Sequence, residues 1–125
     1  MYLVYDTSFL MTALKLKVDP FSSVERLMDI PAVFAVVDKT VTELEKLINE
    51  GSYSDKKVSQ LALRIIKSKG LKVISTKEGY ADDALVALDA KEHIVATQDS
   101  KLKKRLKEKS FKVVTLRQKK YAVMV

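Results

Sequence analysis

The sequence predicts an α/β fold, a three-layer sandwich in which a central parallel sheet of about five strands is covered by helices on both faces. Two observations support this. Short apolar segments rich in strand-forming residues alternate along the chain with longer segments whose apolar residues recur at helical spacing. The segment at residues 32–37, AVFAVV, is apolar at every position, which is typical of a strand covered on both sides. Strands that alternate with helices usually pair in parallel.

Each predicted strand is a short run of apolar residues, many of them β-branched or aromatic. The first, YLVY, stands directly before Asp6, and the last, FKVVTL, follows a basic segment. The strands are expected at residues 2–5, 32–37, 71–74, 94–96 and 111–116.

The predicted helices begin after capping residues or a proline, and several end at a glycine. Asp6 and Thr7 precede the first helix, and Pro20 stands in the first turn of the second, where proline is tolerated. Gly51 and Gly70 follow the third and fourth helices. The helices are expected at residues 9–17, from residue 19, and at 40–49, 54–69, 82–91 and 100–109.

Length and composition exclude several classes of protein and of site. The 125 residues fit one domain, residues 1–125, and the 47% of hydrophobic and 31% of charged residues, close to ordinary globular usage, exclude wholesale disorder. The absence of cysteine excludes disulfides and thiolate sites, and a single histidine excludes a His-rich zinc cage. No apolar run approaches the roughly 20 residues that cross a bilayer, so we expect no membrane association and a cytoplasmic location.

Positive charge is concentrated near the end of the chain. Residues 101–120 carry ten Lys or Arg residues and one acidic residue, Glu108. A cationic flank attracts phosphate polymers through long-range fields and counterion release. The alternative is a solvated, lysine-rich helix face with no binding role.

Four acidic residues are predicted to meet at one edge of the sheet. Asp6 follows the first strand, and Asp99 lies three residues after the fourth. Glu43 and Asp83 lie near the beginnings of the third and fifth helices. In a parallel sheet, helix N-termini face the carboxyl ends of the strands, where ligands bind near a switch in strand order.

Each acid also has a purely structural explanation. Asp6, Asp82 and Asp99 are candidate helix N-caps, and Glu43 could complete a capping box with Thr40. However, no basic residue stands within the segments that carry the acids, and ionised carboxylates about 4 Å apart repel by about 1–4 kcal/mol. Such a cluster requires protons or a metal, and Mg²⁺ or Mn²⁺ is the natural cation for oxygen ligands.

The sequence resembles the PIN domain family, Mg²⁺- or Mn²⁺-dependent single-strand RNA endonucleases found among VapC-type toxins and ribosomal-RNA processing factors. The resemblance extends over essentially the whole chain and depends on the order of four short motifs. They are Asp6-Thr7-Ser8, Glu43, Asp83-Ala84-Leu85 and Thr97-Gln98-Asp99. The family places its ligand directly before Ala-Leu, which favours Asp83 as the ligand and leaves Asp82 as a cap or supporting acid.

The resemblance implies phosphodiester hydrolysis by metal-activated water, with Asp6, Asp83, Asp99 and Glu43 around one or two cations. Ser8 and Thr97 could orient these carboxylates, although local capping is an equal alternative. The residues expected to hold the RNA backbone are Lys101, Lys103, Lys104, Arg105, Arg117, Lys119 and Lys120.

The resemblance also implies partners. These are RNA, an antitoxin or a ribosome-assembly factor, and a second copy of the chain in a homodimer. For the dimer we expect the apolar face of the first two helices to be more exposed than one domain can use. That face carries Phe9, Leu10, Leu14 and Phe21.

Two other functions remain open at this point. A PIN fold that binds RNA or a partner without catalysis would keep the same acids. A phosphoacceptor receiver domain has the same size and alternation, but it would have an acidic pair at the end of its first strand. In this sequence the pair Asp82-Asp83 begins a helix instead.

Overall fold

A computed structural model describes residues 1–29, 31–77 and 79–125 and confirms the α/β fold. Within these ranges there are six strands: β1 (Tyr2–Tyr5), β2 (Val33–Val37), β3 (Lys72–Ile74), β4 (His93–Ala96), β5 (Val113–Arg117) and β6 (Tyr121–Met124). The helices are α1 (Thr7–Lys15), α2 (Ser22–Glu25), α3 (Asp38–Glu50), α4 (Tyr53–Ser68), α5 (Ala81–Val86) and α6 (Ser100–Glu108).

The strand order places the carboxyl end of β1 at the centre of the molecule. The order is β3-β2-β1-β4-β5-β6, and β1 pairs in parallel with both β2 and β4. The chain adds β2 and β3 on one side of β1 and then crosses to add β4 on the other. This reversal between β1 and β4 is the position at which open α/β sheets bind ligands.

Two hydrophobic clusters, one on each face of the sheet, form the core. Leu3 and Tyr5 point into a cluster with α1, α3 and α4, whereas Val4 points into a cluster with α5 and α6. This alternation follows from the two-residue period of a strand and explains why β1 is apolar at every position. None of the helices in the described ranges is long and apolar enough to span a membrane.

The sheet has one strand more than predicted, and the additional strand is antiparallel. After β5 the chain turns at Gln118 and Lys119, both in the left-handed region (φ 54° and 57°), and β6 returns along β5. The sequence carries no glycine at this turn to mark it. Helix α5 is also shorter than predicted, because the Asp89 side chain accepts a hydrogen bond from the backbone N–H of Lys91 and forms a turn before β4.

The apolar face expected to form a dimer is mostly buried within the chain itself. Phe9, Leu10 and Phe21 lie in the core cluster, and Leu14 is only partly exposed against it. Tyr5 packs against Phe9 and Phe21, with ring centroids 5.7 and 5.5 Å apart. The expectation that this face is too exposed for one domain is therefore wrong.

Candidate functional site

Asp6 is the most deeply buried acidic residue at the central edge, and its neighbours hold its carboxylate in place. It is 4% exposed. Its Oδ2 accepts hydrogen bonds from Ser8 Oγ (2.6 Å) and Thr97 Oγ1 (2.8 Å). Although Asp6 occupies the N-cap position of α1, its side chain makes no capping hydrogen bond. The capping interpretation is therefore wrong for Asp6, whose carboxylate bridges β1 and the segment after β4.

Ser8 and Thr97 belong to a continuous hydrogen-bond network around Asp6. Ser8 Oγ lies 3.1 Å from Thr97 Oγ1 and accepts a hydrogen bond from the backbone N–H of Gln98. Thr97 Oγ1 in turn accepts one from the N–H of Asp99. A carboxylate in such a network keeps one orientation, which suits it to bind a ligand.

Asp99 is a helix cap and a candidate ligand at the same time. Its Oδ1 accepts hydrogen bonds from the backbone N–H groups of Lys101 (2.9 Å) and Leu102 (3.1 Å) at the start of α6. The capping interpretation of this residue is confirmed. These bonds use one carboxylate oxygen, and the other oxygen remains available for a second role.

Glu43 and Asp82 interact electrostatically with the same acidic group. Desolvation, followed by the negative charges of Asp6 and Asp82, raises the pKa of Glu43 to about 7. Desolvation, followed by the charges of Asp6 and Asp99, also raises the pKa of Asp82. The positive charge of Arg105 partly opposes the rise in the pKa of Asp82. Asp82 therefore lies near enough to Asp6, Glu43 and Asp99 to interact with them electrostatically, whereas the set predicted from the topology contained Asp83 and not Asp82.

Asp83, the residue predicted to be the ligand before Ala-Leu, is paired with a basic residue, although its charge also contributes to the raised pKa of Asp82. Asp83 Oδ1 accepts a hydrogen bond from Arg105 Nη2 at 2.9 Å, and the Asp83 side chain is 61% exposed. No basic residue stands within the segment that carries Asp83, and its basic partner comes from α6. Asp82 is half-buried and is the one of the two that faces the other acids.

A buried hydroxyl beside Glu43 escaped the sequence prediction. Thr7 Oγ1 is buried and has no hydrogen-bond partner among the residues that the structure describes. It lies near enough to Glu43 to lower that residue's pKa, although the two groups do not have hydrogen-bonding geometry. The sequence feature that could have indicated this hydroxyl is the position of Thr7 within the motif Asp6-Thr7-Ser8. A buried polar atom without a partner requires a ligand or a water, because leaving it unpaired is costly.

The acidic side chains at this edge influence one another electrostatically, but they are not grouped closely enough to act together as metal ligands. Among residues 1–29, 31–77 and 79–125, no three His, Cys, Asp or Glu side chains are grouped tightly enough to hold one ion as they stand. The donor set nevertheless fits a hard divalent cation, because it consists of carboxylate oxygens, and burial followed by neighbouring negative charges raises the pKa values of Glu43 and Asp82.

The predicted basic residues occupy two places near this edge. Lys101, Lys103, Lys104 and Arg105 lie on α6, which begins beside Asp99. Arg117 ends β5, and Lys119 and Lys120 lie in the turn before β6. Because β5 runs parallel to β4, this turn lies at the same edge as the acids. Arg105 is partly engaged by Asp83, whereas Lys101, Lys104, Arg117, Lys119 and Lys120 are exposed.

On the α3 side, the acidic group borders a recess that the sequence did not reveal. The recess has a volume of about 420 Å³ and contains both Glu43 and Asp82 in its wall. Its other lining residues are Lys39, Thr42, Lys46, Gly79, Tyr80 and Ala81. The sequence could have predicted that one face of α3 carries Lys39, Glu43 and Lys46, since residues three and four apart share a helix face.

Comparisons with known proteins agree with the fold and with a nuclease family. The profile of the PIN like domain family matches residues 3–119. The ribonuclease VapC4 of Methanocaldococcus jannaschii is 31% identical over 121 residues, covering 95% of this chain and 92% of its own. The solved PIN domain endonuclease Utp24 superposes with a TM-score of 0.81 at 25% identity, covering 98% of this chain and 90% of that one.

Proposed function

The chain belongs to the PIN domain family, and on this premise we propose that it is a Mg²⁺- or Mn²⁺-dependent endoribonuclease. The observation that supports the proposal is electrostatic: at the carboxyl edge of the sheet, burial and the charges of neighbouring acids raise the pKa of Asp82 and raise that of Glu43 to about 7. Family membership also removes the receiver-domain alternative, which belongs to a different fold.

We assign the candidate ligands to Asp6, Asp82, Asp99 and Glu43, with Asp82 in place of Asp83. A divalent cation held there would lower the pKa of a bound water and stabilise negative charge on a phosphate. Asp82 is preferred because it interacts electrostatically with Asp6 and Asp99, while the carboxylate of Asp83 is held by Arg105.

The residues around the carboxylates have distinct roles in this proposal. Ser8 and Thr97 fix the orientation of the Asp6 carboxylate by donating two hydrogen bonds to Oδ2. Glu43, with its pKa near neutrality, can take up or release a proton at its carboxyl group at physiological pH. The Thr7 hydroxyl, buried and without a partner among the described residues, is available to bind a water beside Glu43.

The proposed substrate is single-stranded or structured RNA. The exposed cations of α6 and of the β5–β6 turn lie at the same sheet edge as the acids and would hold the phosphate backbone there. The relatives named ribonuclease and PIN domain endonuclease support this substrate class.

A cleavage assay tests the proposal. We expect the purified chain to cut single-stranded RNA in Mn²⁺ and to leave it intact in EDTA, and we expect Asp6→Asn to abolish cleavage. A PIN fold that only binds RNA would retain the RNA without cutting it in either condition. That outcome would favour the non-catalytic alternative.

The expected partners and location stay proposals. An antitoxin or a ribosome-assembly factor would be identified by copurification from the native host, and a small gene directly upstream would favour the antitoxin. The homodimer rests on the family resemblance alone, because the apolar face first expected to form the dimer is buried. The cytoplasmic location rests on the sequence alone. Light scattering at several protein concentrations tests the dimer.

A further inference from the structure

We propose that the recess between α3 and Tyr80 binds the nucleotide next to the cleaved phosphate, with its base stacked on Tyr80 and its phosphate held by Lys39 and Lys46. This inference rests on the proposed function, since it identifies where the RNA strand enters or leaves the same acidic site. It adds a binding surface on the α3 side, opposite the basic residues of α6.

The position of the recess is the first argument. Glu43 and Asp82 form part of its wall and also belong to the acidic group, so the recess and the candidate metal site are continuous. Its volume of about 420 Å³ is sufficient for one nucleotide. A phosphate held at the carboxylates would therefore place its neighbouring nucleotide here or on the α6 side.

Tyr80 is the second argument. It is 83% exposed, the highest value among the exposed large hydrophobic side chains in the described part of the chain. It follows Gly79, whose φ of 134° favours glycine and turns the chain just before α5. The exposed ring lines the recess, and exposed aromatic rings are platforms on which single-stranded bases stack.

The two lysines are the third argument. Lys39 Nζ is 3.8 Å from Asp38 Oδ2, and Lys46 Nζ is 4.0 Å from Glu50 Oε2. These separations are longer than the 2.9 Å of the Arg105–Asp83 contact, so both ammonium groups keep capacity for a phosphate. Two cations beside two carboxylates fit a ligand that carries negative charge and also an apolar, stackable part, which is the chemistry of a nucleotide.

Binding of a short fluorescein-labelled oligouridine, measured by anisotropy in EDTA, tests the stacking part without requiring cleavage. We expect Tyr80→Ala to weaken binding by at least about fivefold, since stacking on an aromatic ring is worth about 1 kcal/mol or more per base. Tyr80→Phe should restore wild-type affinity because it keeps the ring. Tyr53→Ala is the matched control, because Tyr53 is 74% exposed but begins α4, beyond the far end of α3.

A second arm tests the lysines through the salt dependence of binding. Removing two phosphate contacts from a single strand should reduce the slope of log affinity against log salt by about 1.4. We expect this from Lys39→Gln combined with Lys46→Gln. The charge-matched control combines Lys56→Gln with Lys67→Gln, two exposed positions on α4, and should leave the slope unchanged.

A scan with one abasic nucleotide locates the stacked base. In the wild type, one abasic position should weaken binding, and Tyr80→Ala should make binding insensitive to that position. Equal effects of Tyr80→Ala and Tyr53→Ala, failure of Tyr80→Phe to restore affinity, or an unchanged salt slope would each overturn the inference. Binding that depends on Tyr80 without any cleavage in Mn²⁺ would support the inference and contradict the endonuclease proposal instead.

Discussion

Asp82 and Asp83 offer the sharpest test of the site, because the same substitution at adjacent positions has opposite expected effects. Asp82→Asn removes a negative charge from among Asp6, Glu43 and Asp99. Asp83→Asn removes only an exposed ion pair with Arg105. The amide is nearly isosteric with the carboxylate in both cases, so the comparison isolates charge.

Without metal, Asp82→Asn should raise the free energy of unfolding. Repulsion between carboxylates about 4 Å apart is about 1 kcal/mol in water and more where water is partly excluded, and Arg105 offsets part of it. We therefore expect a gain of about 1 kcal/mol, or about 4 °C in Tm for a chain of this size. Asp83→Asn should cost about 0–1 kcal/mol, as exposed ion pairs do.

With Mn²⁺ present, the stability difference between the two variants should shrink, because Asp82→Asn responds less to the metal. A cation at about one hundred times its Kd stabilises the wild type by about 2.7 kcal/mol, and Asp83→Asn should keep this gain. Loss of one ligand that weakens binding tenfold removes about 1.4 kcal/mol of it in Asp82→Asn. Thermal unfolding with and without Mn²⁺ measures all four values. A metal response lost in Asp83→Asn and kept in Asp82→Asn would refute the assignment.

Three further predictions concern neighbouring residues. Asp99→Ala should lower the metal-free free energy of unfolding by about 1 kcal/mol in urea denaturation, whereas Asp99→Asn, which keeps the cap, should not; equal losses would contradict the capping role. Thr97→Val should cost about 1–2 kcal/mol in the same measurement and lower cleavage of RNA, because it removes a donor to Asp6; unchanged cleavage would show that this bond does not orient the carboxylate. Because the folded pKa of Glu43 is raised from 4.5 to about 7, the folded state binds more protons in that interval and the free energy of unfolding falls as pH rises through it. After screening at this partly exposed group, the free energy of unfolding should fall by about 1 kcal/mol between about pH 5 and about pH 8, and Glu43→Gln should reduce this fall. An equal fall in the wild type and in Glu43→Gln, measured by urea denaturation at both pH values, would contradict this cause.

The sequence was sufficient to predict that Asp6 and Asp99 emerge at the same edge of the sheet, because that depends only on strand direction and strand order. Asp6 directly follows a strand that is buried on both faces, and Asp99 follows its neighbour, so both had to emerge at the same end. The apolar pattern of each strand was sufficient for this prediction.

The choice between Asp82 and Asp83 could not be made from local sequence. Consecutive residues on a helix point about 100° apart, since a turn contains 3.6 residues. Which of them faces Asp6 depends on how α5 packs on the sheet and on Arg105, which reaches Asp83 from α6. Strand β6 was not predicted for a different reason. Its turn is formed by Gln118 and Lys119, in a left-handed conformation that glycine or asparagine usually adopts.

A crystal structure of the protein soaked in Mn²⁺, with the ion located by its anomalous signal, tests the central claim most directly. The account predicts an ion bound to Asp6 and Asp82, with Asp99 or Glu43 completing the protein ligands, while Asp83 remains paired with Arg105. An ion bound to Asp83, or no ion near Asp6 at saturating Mn²⁺, would contradict it.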